Sequence, residues 1–177
     1  MHRLLALGLN HATAPLELRE RLALSESEQD ALLSDVTDRR LASEAMVLVT
    51  CNRIELYVAS GDPPSSDPLL ELLASRRGLT ADDLVRHAYV RRDGDAVKHA
   101  FTVAAGLDSM VLGETQVLGQ IRAAYERAQR RGMTGAALNP VMQRAVAAGR
   151  DVLARSGLAG LRPSVAAIAV RLAESRL

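Results

Sequence analysis

The chain contains a single cysteine, and its neighbours make it a candidate nucleophile. Cys51 closes an apolar run, Ala45-Met46-Val47-Leu48-Val49, that reads as a buried strand, and it is bracketed by Thr50, Asn52 and Arg53. A strand end is where a rigid scaffold presents reactive groups to a ligand. A thiol beside a fixed cation is biased towards thiolate, the form that attacks carbonyl carbon. The alternative is a small buried hydrophobe, and position alone leaves the two readings level.

Two further polar clusters interrupt apolar segments. Gly8-Leu-Asn-His-Ala-Thr-Ala-Pro15 follows the first strand-like run. Ala105-Gly-Leu-Asp-Ser-Met-Val-Leu-Gly-Glu-Thr-Gln-Val-Leu-Gly-Gln120 precedes and enters a helical stretch. In the latter, Gly106, Gly113 and Gly119 permit close backbone approach, while Asp108, Ser109, Glu114, Gln116 and Gln120 offer donors and acceptors. Glu is also a common cap at a helix start, so part of this cluster has a purely structural explanation.

The elements that must position these groups follow from apolar spacing. Residues 3–9 and 45–51 read as strands. Ile54 to Ala59 reads as another, alternating Ile, Leu and Val with Glu55 and Tyr57, and His87 to Arg91 as a short fourth. Ser25 to Arg40 reads as a helix with a cap-like Ser-Glu-Ser-Glu start, and Leu69 to Arg77 as another after the breaker cluster Gly61 to Pro68. Strand, helix, strand, strand, helix, strand is the split pattern of a ferredoxin-like sheet. From residue 95 the chain reads as helices only: Asp95 to Ala105, Gln116 to Arg131, Leu138 to Ser156 and Ser164 to Arg176. The expected class is therefore α+β: a ferredoxin-like βαββαβ subdomain over residues 1–94, a helical subdomain over 95–160, and the start of a long linker helix over 161–177.

Composition narrows the function. Of 177 residues, 48% are hydrophobic but only 2% aromatic, so the core must be built from Leu, Val, Ala and Ile, and base stacking on aromatic platforms is disfavoured. Net charge is +1, and Lys98 is the only lysine. The arginine pairs Arg39-Arg40, Arg76-Arg77, Arg91-Arg92 and Arg130-Arg131 read first as solvated element ends, with phosphate contact as the alternative. One cysteine excludes an intramolecular disulfide and a Cys-based zinc site, and no metal site is expected. No apolar run reaches the ~20 residues of a membrane span, and Leu4 to Leu9 is too short for a signal peptide; a cytoplasmic protein is expected.

Taken together, Gly-Leu-Asn-His-x-Thr-Ala-Pro, Leu-Arg-Glu-Arg-Leu-Ala (Leu18 to Ala23), Thr-Cys-Asn-Arg-x-Glu-x-Tyr and Gly-Leu-Asp-Ser-Met-Val-Leu-Gly-Glu-x-Gln-x-Leu-Gly-Gln resemble glutamyl-tRNA reductase, in order and at matching spacing to about residue 130. The resemblance implies an oxidoreductase of tetrapyrrole synthesis. A thiolate attacks the ester of glutamyl-tRNA, and NADPH reduces the resulting thioester to glutamate-1-semialdehyde. It puts the nucleophile on Cys51 and the activity-linked histidine on His99, which as a lone helical His beside Phe101 reads only as a surface or core residue. It puts the glutamate pocket on Thr50, Asn52, Arg53, Ser109, Glu114, Thr115, Gln116 and Gln120, where a guanidinium suits a carboxylate. It also implies a homodimer through a C-terminal domain, and glutamate-semialdehyde aminomutase as a partner.

The chain departs from the family pattern at two places. Ile54 stands where the family has Thr, an expected change in the pocket wall. Arg155 to Pro163 replaces an Arg-Thr-acid-Thr run. No Gly-x-Gly-x-x-Gly unit is present in these residues; the resemblance implies that NADPH is bound by a domain absent from this chain, which in the family follows the position of residue 177, so the sequence reads either as a fragment of a longer enzyme or as a truncated homologue. The competing readings are a homologue that passes the acyl group from Cys51 to a different acceptor, and a non-enzymatic module that binds charged tRNA.

Overall fold

In the computed structural model, which describes residues 2–110, 115–156 and Glu174, eleven elements follow one another. They are β1 (Arg3–Asn10), α1 (Leu16–Leu22), α2 (Glu26–Asp38), β2 (Glu44–Val49), β3 (Arg53–Ser60), α3 (Asp67–Ser75), α4 (Ala81–Val85), β4 (Tyr89–Arg92), α5 (Asp93–Ala104), α6 (Thr115–Arg130) and α7 (Leu138–Arg155). The sheet order is β2-β3-β1-β4 with every neighbouring pair antiparallel, the arrangement of a split βαβ fold. The expected α+β class and ferredoxin-like sheet are thus present. The expected helix over Ser164 to Arg176 lies outside the described residues except for Glu174.

Two helices escape the sequence pattern. α1 has seven residues and begins behind Pro15 with no side-chain cap, and only Leu22 is buried on it. α4 has five residues and is nucleated by a reciprocal cap between Thr80 and Asp83. Both are shorter than the window in which a 3.6-residue period can be recognised. By contrast, the acidic start of α2 is a full capping box. Ser25 N donates to Glu28 Oε2 at 2.7 Å, and Ser25 Oγ accepts from Glu28 N.

The sheet has two different faces, because strand side chains alternate. Leu5, Leu7 and Leu9 of β1 pair in register with Val58, Leu56 and Ile54 of β3. All six are essentially inaccessible and form the apolar side, closed by α1 and α2, with α3 packed against α2. The opposite side presents Ala6, Gly8 and Asn10 beside Tyr57, Glu55 and Arg53, and it meets α5 and α7. On that side Glu44 of β2, also buried, accepts the backbone N–H groups of Gly135, Ala137 and Leu138 at 2.8, 3.0 and 2.7 Å. A carboxylate is well placed there, since the first N–H groups of a helix have no partner within it. Beyond α6, the Met133 carbonyl accepts Ala45 N at 2.7 Å and so covers the outer edge of β2. The apolar core is continuous from β1 to α7.

Candidate active site

The turn between β2 and β3 carries Cys51. Thr50 N donates to the Arg53 carbonyl at 2.9 Å, and Thr50 Oγ1 accepts from the N–H of Asn52 and of Arg53, both at 3.1 Å. Closed by these internal hydrogen bonds, the turn leaves Cys51 exposed at its tip. Arg19 of α1 secures it from outside, donating Nη1 to the Cys51 carbonyl at 2.6 Å and to Asn52 Oδ1 at 3.4 Å. The Asn52 carbonyl accepts His11 N at 2.9 Å.

Thr50, Cys51, Asn52 and Arg53 face Ser109, Gln116 and Gln120 across one narrow cleft, with Val117 as its apolar wall. These are seven of the residues expected from sequence. Thr115 opens α6, and Glu114 lies outside the described residues. His99 is not in this cleft. It lines a second one with Arg91, Asp95, Lys98 and Thr102. Ile54 does not form the pocket wall as expected: it is 2% exposed and pairs with Leu9 and Val49 on the apolar side of the sheet, one residue out of phase with Arg53.

Beneath the cleft lies a buried polar network centred on Glu55. Its Oε1 accepts from Arg53 Nη1 at 2.7 Å, from His99 Nε2 at 2.9 Å and from the Tyr89 hydroxyl, and its Oε2 accepts from the Tyr57 hydroxyl at 2.6 Å. The His99 ring sits edge-on to Tyr89 and stacks at longer range on Tyr57. Room for the Glu55 side chain comes from Gly8, directly opposite it on β1. A Cβ on Gly8 would stand 2.7 Å from Glu55 Cγ and 2.7 Å from the Ile54 carbonyl oxygen. Gly8 also pairs with Tyr89 on its other side, so Glu55 and Tyr89 converge over a position without a side chain.

Asp108 joins the three polar clusters of the sequence. Its Oδ2 lies 2.9 Å from Arg53 Nη1 and accepts from Asn10 Nδ2 at 3.2 Å, and its carbonyl accepts from Arg53 Nη2. Asn10 in turn shapes its own loop, its Oδ1 accepting from the N–H of Ala12 and Thr13.

Burial alone would push the Glu55 carboxyl up. The His99 hydrogen bond, the Arg53 charge and the Tyr57 hydroxyl overcome that and hold it down at about 2. Burial works against the Arg53 charge, but Glu55 first and then other neighbours raise it above the ordinary guanidinium value. Tyr57 and Tyr89 are both raised, by burial and then by the Glu55 charge. At the centre of the network an ionised carboxylate therefore faces a guanidinium and is bounded by neutral phenols, with Asp108 as a second acidic neighbour of Arg53. His11 is lowered by burial and by Arg53, partly opposed by Asp108, and its Nδ1 is buried without a partner among the described residues.

Glu55, Tyr57, Tyr89, Asn10 and Arg19 are the site residues that sequence reasoning missed as such, and Asp108, expected among the donors and acceptors of the third cluster, proves to be a partner of Arg53. One signal was present: Arg53, Glu55 and Tyr57 recur at every second position of a strand whose intervening residues Ile54, Leu56 and Val58 are apolar. A charge pair on such a strand must be buried and paired. Among the described residues no group of His, Cys, Asp and Glu is arranged to hold a metal, and no helix is long and apolar enough to cross a membrane.

Comparison with known proteins agrees with this geometry. The family model for the N-terminal domain of glutamyl-tRNA(Glu) reductase matches residues 7–156. The glutamyl-tRNA reductase of Deinococcus radiodurans is 44% identical over 172 residues, covering 96% of this chain and 46% of the relative. That of Syntrophotalea carbinolica is 42% identical over 170 residues, covering 96% and 38%. The solved glutamyl-tRNA reductase from Methanopyrus kandleri superposes with a TM-score of 0.66 at 32% identity, over 84% of this chain and 34% of that one. The chain thus spans less than half the length of these relatives. With the family's motifs meeting around Cys51 and its domain model spanning both the sheet and the helices, the chain belongs to the glutamyl-tRNA reductase N-terminal domain family.

Proposed function

We propose that this chain is the acyl-accepting part of a glutamyl-tRNA reductase. The observation that carries the reading is an exposed thiol sharing one cleft with a buried guanidinium and the amides of Gln116 and Gln120. The Cys51 thiolate attacks the ester carbonyl of glutamyl-tRNA. An S–C bond forms, the C–O bond to the ribose breaks, and the leaving oxygen takes up a proton, so the tRNA departs with a free hydroxyl. His99 acts near that leaving group, held in place by Glu55.

Arg53 binds the substrate side chain, with Thr50, Asn52, Ser109, Gln116 and Gln120 around it, and the family resemblance adds Glu114 and Thr115 to the set. Its two carboxylate partners differ in what they can yield. Glu55 is fully enclosed, whereas the Asp108 side chain is 34% exposed. A glutamate carboxylate replaces Asp108 on the guanidinium, and the Glu55 contact keeps the fork aimed.

In the complete reductase NADPH supplies the hydride that yields glutamate-1-semialdehyde. The residues in the Cys51 cleft suit acyl transfer, and none of them is assigned to the cofactor. Dimerisation and transfer of the semialdehyde to an aminomutase likewise belong to the complete enzyme.

The test is ester cleavage. The 177-residue chain should slowly release free glutamate from glutamyl-tRNA without oxidising NADPH, with water as the acceptor. Cys51→Ser should abolish release, because it keeps the size of the side chain while removing the thiolate. Undiminished cleavage by that variant would remove the case for covalent catalysis.

A further inference from the structure

The turn that carries Cys51 is held from two sides, and the bonds that hold it leave one peptide group free. In the peptide group joining Cys51 to Asn52, the carbonyl accepts from Arg19 Nη1 at 2.6 Å and the N–H donates to Thr50 Oγ1 at 3.1 Å. In the next group, joining Asn52 to Arg53, the carbonyl accepts from His11 N at 2.9 Å and the N–H donates to the same hydroxyl at 3.1 Å. Both planes are therefore fixed at both ends. In the group joining Thr50 to Cys51, neither the Thr50 carbonyl nor the Cys51 N–H has a partner among the described residues. That N–H belongs to the residue whose thiol is exposed.

Arg19 is itself anchored where it leaves α1. Its Nε donates to the Ala14 carbonyl at 3.3 Å, while Nη1 reaches Asn52 Oδ1 at 3.4 Å as well as the Cys51 carbonyl. One planar fork thus ties the chain before α1 to both residues at the tip of the turn, which the single ammonium of a lysine cannot reproduce. His11 holds the turn only through its main chain. Arg19 is therefore the side chain through which the arrangement can be altered.

When a thiolate attacks an ester, the S–C bond forms and the π pair of the C=O bond moves onto oxygen. A donor already in place before that charge develops stabilises it without reorganising during the reaction. The backbone N–H of the nucleophilic residue is close to the attacking atom by covalent connectivity, and it is one of the two oxyanion donors of serine proteases. We propose that the Cys51 N–H receives the oxyanion, and that Arg19 is the positioning residue that holds the turn so that it can. Collapse of the oxyanion then breaks the C–O bond, and the leaving oxygen takes up a proton. The inference rests on the acyl-accepting reading of Cys51 above, and adds to it the group that bears the charge.

Two reactions of the same thiol separate this role from a structural or purely electrostatic one. Cys51 is the only cysteine, so both report on it. Iodoacetamide alkylates the thiolate by displacement at saturated carbon and forms no oxyanion. p-Nitrophenyl acetate acylates it through one, and its phenolate leaves without needing a proton. In the 177-residue chain, Arg19→Ala should lower the rate of acylation relative to alkylation about tenfold or more, short of the ~10²–10³ that removing a donor outright costs. Arg19→Lys keeps the charge but loses the fork and should show a selective loss of the same kind; it carries the comparison if Arg19→Ala does not fold. Arg21→Ala removes an exposed arginine of the same helix that bonds the Arg77 and Gly78 carbonyls, and should leave the ratio unchanged. Unimpaired acylation, an equal loss in both reactions, or the same selective loss in Arg21→Ala would each overturn the proposal. Neither reagent is an aminoacyl-tRNA, so this ratio stands apart from whether Cys51 cleaves glutamyl-tRNA, which Cys51→Ser decides.

Discussion

The two faces of the sheet are built on the same strands in the same register, yet they do opposite things. On one, Leu5, Leu7, Leu9, Ile54, Leu56 and Val58 exclude water and make no hydrogen bond through their side chains. On the other, one residue out of phase, Arg53, Glu55 and Tyr57 are as deeply buried but polar, and each is satisfied. The apolar face gains stability from area removed from water. The polar face recovers little net energy from its buried ion pair, because desolvation consumes much of the attraction. What it gains is geometry: a guanidinium and an imidazole fixed against one carboxylate. The stable face carries the fold, and the costly face carries the chemistry.

Removing the hub of the polar face tests this division most severely. Glu55→Ala leaves His99 Nε2 and two tyrosine hydroxyls without an acceptor and Arg53 without its enclosed partner. It should destabilise the chain by about 3–5 kcal/mol in denaturant titration and abolish ester cleavage in whatever remains folded. Leu7→Ala on the opposite face should cost ~2–5 kcal/mol through lost burial and a residual cavity, while cleavage per folded molecule stays at the native level. If Leu7→Ala lost activity beyond its loss of folded protein, the faces would not be separable in the way argued.

Acidity gives a milder probe of the same contrast. Glu55 is held at about 2 when folded, against roughly 4.3 in an unfolded chain. A depressed carboxyl contributes stability that is complete above the unfolded value and is lost as pH falls towards the folded one. Stability should therefore decline between about pH 4.3 and 2, by up to ~1.4 kcal/mol per pH unit for this group. Glu28, Asp83 and Asp93 shift in the same direction at the surface. The difference between native chain and Glu55→Gln, followed by circular dichroism across that window, isolates the buried carboxyl. The smallest effect belongs to α2, remote from the site. Ser25→Ala removes one half of its capping box and should cost about 1 kcal/mol, with cleavage unaltered.

Much of this was legible in the residues. Ala45 to Val49 reads as a buried strand and is one, and the β2–β3 turn falls where Thr50 to Arg53 interrupts the apolar pattern. The four family motifs identify a cleft whose members are brought together from residues 50–53 and 109–120. The polar network was only half visible. Its period-two spacing on β3 is local, but Tyr89, His99 and Asp108 reach Glu55 and Arg53 through sheet order and helix packing, which no short window records. Gly8 is the same kind of case: its need to lack a side chain arises from Glu55, 47 positions away in sequence and adjacent only through strand register. α1 and α4 were missed because they are too short to display a period.

The Glu44 carboxylate has a consequence for how the chain comes apart. It closes the N-terminus of α7 from a strand some ninety residues earlier, so that helix loses its cap whenever the sheet opens. Sheet and helices should therefore unfold in a single transition, and amide hydrogens of Ala137 and Leu138 should exchange with solvent at the rate of global opening rather than at the rate of a fraying helix end.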